Sequence, residues 1–287
     1  VAPPFERTSD PIDRPTNEID TLLRKAFNSP TGFNTPVDVT ILIERVCDYG
    51  DYFEIQPDRA RNAITAFGRL GGHVVGFVAN NSAVASGQID VDAAFKIARF
   101  VRFCSIYNTP VIFIEDTTGF LPGRDQETRG IVQAGRAMLD AIIDIRTPRI
   151  LLILRNAFGG AYAAFNSYAV GSDVVLALPT TRVAVMGTAG KEFVYKTEIR
   201  QIREEAAKRR KAGSADVDVA EWLRAEEAKL NQRYERELMN PREALSLGSI
   251  SEIVMPTDLR HDLAQHLKFL LNHYVPGPMS EPQREFH

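Results

Sequence analysis

Residues 148–162 read PRILLILRNAFGGAY, and this stretch decides the fold. Pro148 to Leu154 is a short, continuous apolar run, the pattern of a strand buried on both faces. Arg155 to Tyr162 (RNAFGGAY) follows and opens a small-residue helix after Gly160. A helix start leaves its first N–H groups without internal partners and gathers partial positive charge there. Glycines at such a turn permit unusual backbone angles and let another molecule approach the chain closely. Local sequence leaves two readings open. One is an oxyanion hole, a fixed pair of donors aimed at a carbonyl oxygen gaining negative charge, each worth about 3 kcal/mol in a transition state. The other is a glycine-rich corner needed only for packing.

Working outward, Pro110 to Glu115 (PVIFIE) is a second run of the same kind. It leads into Asp116 to Gly123 (DTTGFLPG), a turn of similar design that precedes a helix beginning near Gln126. Asp92 to Tyr107 and Glu127 to Ile143 carry apolar residues at helical spacing. Gly72 to Ala79, Val174 to Leu178, Val183 to Val185 and Ile250 to Val254 read as further strands, and Leu259 to Tyr274 as a helix stopped by Pro276 and Pro278. Val39 to Phe53 fits a short helix or strand followed by an acidic loop. Strand and helix alternate, so the class is an α/β layer fold. Its ligands belong at the carboxyl ends of the strands, where both turns lie. A third turn, Met186 to Gly190, follows the Val183 strand.

Two regions differ from this centre. Residues 1–37 are rich in Pro, Asp, Thr and Asn and read as a lead-in, with one helix-like stretch from Glu18 to Ala26; residues 38–287 form the main domain. Residues 194–238 are dense in Lys, Arg, Glu and Ala and read as two long exposed helices joined by a turn. They form a solvated or subunit-packing surface rather than a nucleic-acid patch, despite Lys208-Arg209-Arg210-Lys211.

Composition narrows the function. A net charge of −3 gives no global attraction to nucleic acid or anionic lipid. Cys47 and Cys104 are too few for a zinc cluster or disulfide framework and read as buried small hydrophobes. No apolar stretch approaches the roughly 20 residues of a membrane span. The amino-terminal VAPPFERTSDP shows no secretory signal, and starting on Val suggests a processed or excised piece of a longer protein. Of the five histidines, none falls between residues 74 and 260, where the glycine turns are. Gly-x-Ser-x-Gly, His-Glu-x-x-His and Cys-x-x-Cys are all missing, so nucleophilic triads and metal hydrolysis find little support. Gly187 to Lys191 has the wrong spacing for a phosphate loop, and Glu192 stands where Ser or Thr belongs. What is left is backbone chemistry.

The runs DTTGFLPG, Gln126-Glu127, Gly130-Ile131, RNAFGGAY and Ala184 to Gly187 (AVMG) resemble the C-terminal half of the carboxyltransferase subunits of biotin-dependent acyl-CoA carboxylases. Asp48 to Glu54 (DYGDYFE), Phe67 to Gly72 (FGRLGG), Val75 to Asn80 (VGFVAN), Lys96 to Phe100 (KIARF) and Asn240-Pro241 fall in the family's order, and the similarity spans roughly residues 10 to 272. The resemblance implies a crotonase-like fold of repeated ββα units wound into a spiral. It implies carboxyl transfer between carboxybiotin and an acyl-CoA, this chain supplying the biotin side. The amides of Gly160 and Ala161 would be catalytic, stabilising the oxygen of the biotin ring. Gly159, Tyr162, Gly119 and Phe120 would hold biotin, and Ala163, where some members carry Asp, would face the substrate. No metal is implied.

The implied partners are an N-terminal carboxyltransferase half and a biotin carboxylase or biotin carrier subunit, since no Ala-Met-Lys-Met site is present. An oligomer and a cytoplasmic location are expected, or the mitochondrial matrix in a eukaryote. Substrate signals are mixed: RNAFGGAY looks like propionyl-CoA and acetyl-CoA carboxylases, while DTTGFLPGRDQE is also similar to the methylcrotonyl-CoA and glutaconyl-CoA branch. Three alternatives stand beside this reading: biotin-dependent decarboxylation of a dicarboxylic acyl-CoA, a biotin-independent hydratase or isomerase using Asp116, Asp125 or Glu127, and a non-catalytic scaffold.

Overall fold

The computed structural model describes residues 4–184, 190–212 and 216–278. An amino-terminal helix α1 (Asn17–Phe27) and α2 (Thr40–Val46) precede the strands β1 (Tyr52–Glu54), β2 (Ala63–Leu70) and β3 (His73–Asn80). Then come α3 (Val91–Ile106), β4 (Val111–Thr117), α4 (Arg124–Thr128), α5 (Ile131–Asp144), β5 (Arg149–Phe158), α6 (Gly159–Ala164), β6 (Val174–Ala177) and β7 (Arg182–Ala184). The carboxyl-terminal part holds α7 (Lys191–Val194), α8 (Lys196–Lys211), α9 (Asp216–Leu238), α10 (Pro241–Ser246), β8 (Glu252–Ile253) and α11 (Leu259–His273).

One sheet runs in the order β1-β2-β3-β4-β5-β6-β8, with β7 paired to the far end of β5. The first three strands are antiparallel, and from β3 onward every pairing is parallel. Side-chain alternation along β4 and β5 splits the interior in two. Val111, Phe113, Leu151 and Ile153 face α3, α5 and α6, while Ile112, Ile114, Ile150 and Leu152 face α1, α2 and α11. The central strands are therefore apolar on both sides, which is why they read as unbroken runs.

Several boundaries moved for local reasons. The expected helix from Glu127 to Ile143 is two helices, α4 and α5, because Gly130 takes a left-handed φ of 85° between them. β5 runs to Phe158, so Arg155 to Phe158 belong to the strand and the turn proper begins at Gly159. The sequence reading has no strand at Ala63–Leu70; Thr, Gly and Arg dilute its pattern, and pairing with β1 and β3 makes it a strand. Val39 to Phe53 resolves into α2, a single turn and β1. Val185 and the turn at Met186 to Ala189 lie outside the described residues.

α11 and the segment before α1 are fastened to the sheet by buried charges as well as apolar contacts. Arg260, 0% exposed, donates to Asp48 at 2.7 Å and pairs with Asp10 at 3.3 Å, while Asp48 accepts from the amides of Gly71 and Gly72. Cys47 and Cys104 are both buried and free, and burial pushes the Cys47 thiol up to about 12.

Candidate active site at the strand ends

Two glycine turns leave neighbouring parallel strands at their carboxyl ends. The pairing of β4 with β5 runs evenly from Val111↔Arg149 to Glu115↔Ile153, then jumps to Thr117↔Ala157. This bulge lets Arg155 and Asn156 reach sideways. Arg155 donates through Nε and Nη2 to Asp116 Oδ2 at 3.1 and 2.7 Å, and the Asn156 amide donates to Asp116 Oδ1 at 3.2 Å. Arg155 also reaches Ser82 Oγ and the Thr35 carbonyl. On the other side, Asn156 Oδ1 accepts two bonds from Arg182, which pairs with Glu235 of α9. The strand ends are thus clamped by side chains before either turn begins.

The turn after β5 is shaped by backbone alone. Phe158 is extended, Gly159 takes a left-handed φ of 64°, and the helix starts at once. No side chain caps that start. The first N–H groups of a helix have no acceptor in the preceding turn, and no side chain among the described residues takes up those at the start of α6. α6 is only 6 residues long, so any field at its start comes from local N–H dipoles rather than from a long helix. Gly160 and Ala163 share one face, three residues apart, and both are exposed. A Cβ added to Gly160 would meet nothing within 4 Å among the described residues. Ala161 and Ala164 turn inward to the core, and Tyr162 is half-buried against it.

The turn after β4 is tied down. Thr117 Oγ1 accepts from the Gly119 amide, the Gly119 carbonyl accepts from Ile89, and Leu121 donates back to the Ile89 carbonyl. Gly119 takes a φ of 139° with open space beside it. The Phe120 ring lies 3.3 Å from where a Cβ on Gly135 of α5 would sit.

Asp116, a candidate acid or base for the hydratase reading, is 1% exposed and held by Arg155, so it is structural. Asp125 and Glu127 are exposed at the start of α4. Among the described residues no group of three His, Cys, Asp or Glu could hold a metal. Sequence reasoning missed three residues that shape the site: Glu115, Phe158 and Arg182. Phe158 joins Tyr195, Ile199, Leu230, Tyr234 and Met239 in a small core, which packs α8 and α9 against the end of β5.

A mostly parallel sheet with glycine turns at the carboxyl edge of β4 and β5 belongs to a carboxyltransferase scaffold of the crotonase type. The carboxyl transferase domain model matches residues 1–284, and the chain belongs to that family. It is 39% identical over 254 residues to the biotin-dependent acetyl-/propionyl-coenzyme A carboxylase beta5 subunit of Mycobacterium tuberculosis, covering 88% of this chain and 42% of that one. It is 36% identical over 242 residues to a putative propionyl-CoA carboxylase beta chain of Bacillus subtilis, covering 84% and 44%. The transcarboxylase 12S crystal structure, a hexamer with hydrolysed methylmalonyl-coenzyme A bound, superposes with a TM-score of 0.80 at 31% identity, covering 99% of this chain and 49% of that one. The chain therefore spans about half the length of the relatives it matches.

Proposed function

We propose that this chain forms the biotin-side half of a carboxyltransferase site that moves a carboxyl group between a biotin carrier and an acyl-CoA. The observation that carries the reading is the start of α6, which no side chain caps and where Gly160 is exposed, with Ala161 buried behind it. The biotin ring fits this feature chemically: its ureido oxygen needs two donors and a flat approach, and Gly160 presents an open face. Bound carboxybiotin supplies the activated carboxyl group. The Gly160 and Ala161 amides donate to the ring oxygen and favour the charge that gathers there. Gly159 sets the angle of the turn, while Tyr162 and Phe120 form its apolar surround. Ala163 stands on the exposed face where the acyl group approaches. Gly119 leaves room at the second turn.

A chain about half the length of its relatives suits a site that a second body completes, here the N-terminal carboxyltransferase half. A separate exposed aromatic surface on Phe53, Phe95, Phe103 and Tyr107 suits a subunit contact. We infer an oligomer with a biotin carboxylase or carrier subunit as further partner, acting in the cytoplasm, where buried free thiols persist.

Reconstitution with an N-terminal half and a biotinylated carrier, assayed over an acyl-CoA panel, tests this reading. Gly160→Val should fold and lose about 100- to 1000-fold in turnover; full turnover in that variant would sink the assignment.

A further inference from the structure

Glu115 is the last residue of the apolar run in β4 and the one charged-type side chain in it before Asp116. It is 0% exposed, and neither of its carboxyl oxygens has a hydrogen-bond partner among the described residues. Parity along the strand places it on the side of Val111 and Phe113, the side that faces α5 and α6. Phe113 touches Phe165 at the end of α6, with ring centroids 5.6 Å apart. Glu115 lies two residues further toward the turns. Tyr162 of α6 packs into the same cluster. Burial, and then the charge of Asp116, push Glu115 well above the usual carboxylate range. Burial, and then Glu115, push the Tyr162 phenol up to about 12. These are the titratable groups set against Glu115: Tyr162 from α6, and Asp116 on its own strand, paired with Arg155.

An ionised carboxylate buried here would place an uncompensated negative charge in a low-dielectric interior, on the face of β4 that α6 covers. We propose that Glu115 is a positioning residue for the α6 turn, a buried carboxyl that works in its acid form, supporting Tyr162 and keeping negative charge away from the Gly160–Ala161 amides. Its role in turnover rests on the carboxyltransferase reading; its acid form does not.

Two measurements separate the two. A glutamate in an unfolded chain ionises near about 4.3. Above that value the folded chain holds a proton that the unfolded chain releases, so folded stability falls as pH rises until the folded group itself ionises. Glu115→Gln removes that loss. Its Tm should match wild type near about pH 4 and exceed it by a widening margin toward about pH 8. A Glu115→Gln variant less stable than wild type at pH 8 overturns the proposal, because it would mean a paired, ionised carboxylate.

In the reconstituted complex, wild-type kcat/KM should fall on the alkaline side by about tenfold per pH unit. Glu115→Gln should keep kcat/KM within about threefold at neutral pH and lose the alkaline fall, while Glu115→Val should drop about tenfold at every pH. An unchanged alkaline fall in Glu115→Gln, or Glu115→Val equal to Glu115→Gln, overturns the positioning role. No turnover even in wild type, with the stability margin present, supports the acid form and counts against the proposed reaction.

Discussion

The turns after β4 and β5 look alike in sequence and differ in what they leave free. After β4, the Gly119 amide and carbonyl and the Leu121 amide are all used, by Thr117 and Ile89. After β5, a single left-handed glycine swings the chain straight into a helix whose first amides have no cap. One turn has its backbone groups bound, and the other begins a helix that no side chain caps. Glycine content alone does not separate them, since both have glycine at positive φ. What separates them is the Thr117 hydroxyl and the Ile89 backbone, which take up hydrogen bonds at the turn after β4.

The strongest way to break this contrast is to undo the clamp both turns share. Asp116→Ala leaves the Arg155 guanidinium buried, 4% exposed, without its carboxylate, and should cost about 3–5 kcal/mol in urea unfolding. Gly160→Val acts on the open turn alone, where a Cβ meets nothing within 4 Å. Its Tm should stay close to wild type while turnover falls by the two to three orders of magnitude given above. Phe158→Leu thins the small core that ties α8 and α9 to β5, with a loss of about 1–1.5 kcal/mol and faster proteolysis within 196–238. Gly119→Ala tests the closed turn: its φ of 139° disfavours alanine, so stability should drop by about 1 kcal/mol with kcat/KM changed less than tenfold. Equal catalytic losses for Gly119→Ala and Gly160→Val would erase the distinction between the turns.

Much of this was legible beforehand for a simple reason. β4 and β5 sit between two layers, so apolar residues are needed on both faces and the strands announce themselves as runs. The helices at Asp92 to Tyr107 and Leu259 to Tyr274 show one buried stripe each, and they lie within one residue of those bounds. β2 stayed hidden because a strand with glycine and threonine in it is made by its partners. The break at Gly130 stayed hidden because the apolar spacing runs on through it, although the glycine that makes it was in plain view.

The α8–α9 segment shows the same limit from another side. Its charge density reads as a solvated surface, and most of it is one, with ion pairs such as Arg233 with Glu237 and Arg203 with Glu192 among exposed side chains. Yet Tyr195, Ile199, Leu230 and Tyr234 turn inward to meet Phe158, a contact spanning up to 76 residues of chain between Phe158 and Tyr234. Spacing within a helix cannot name a partner on a distant strand.

Sequence by itself determined the layered α/β class, the buried strands, the family and the Gly160–Ala161 turn, because each is written in neighbouring residues whose backbone preferences act locally. Only the tertiary structure decided that Asp116 is a clamp rather than an acid, that the turn after β4 has its backbone bound while α6 starts without a side-chain cap, and that Glu115 is buried with no hydrogen-bond partner among the described residues. Those outcomes depend on burial and on pairings between strands far apart in the chain, where removal from water sets both the charge state of a carboxyl and the cost of leaving it alone.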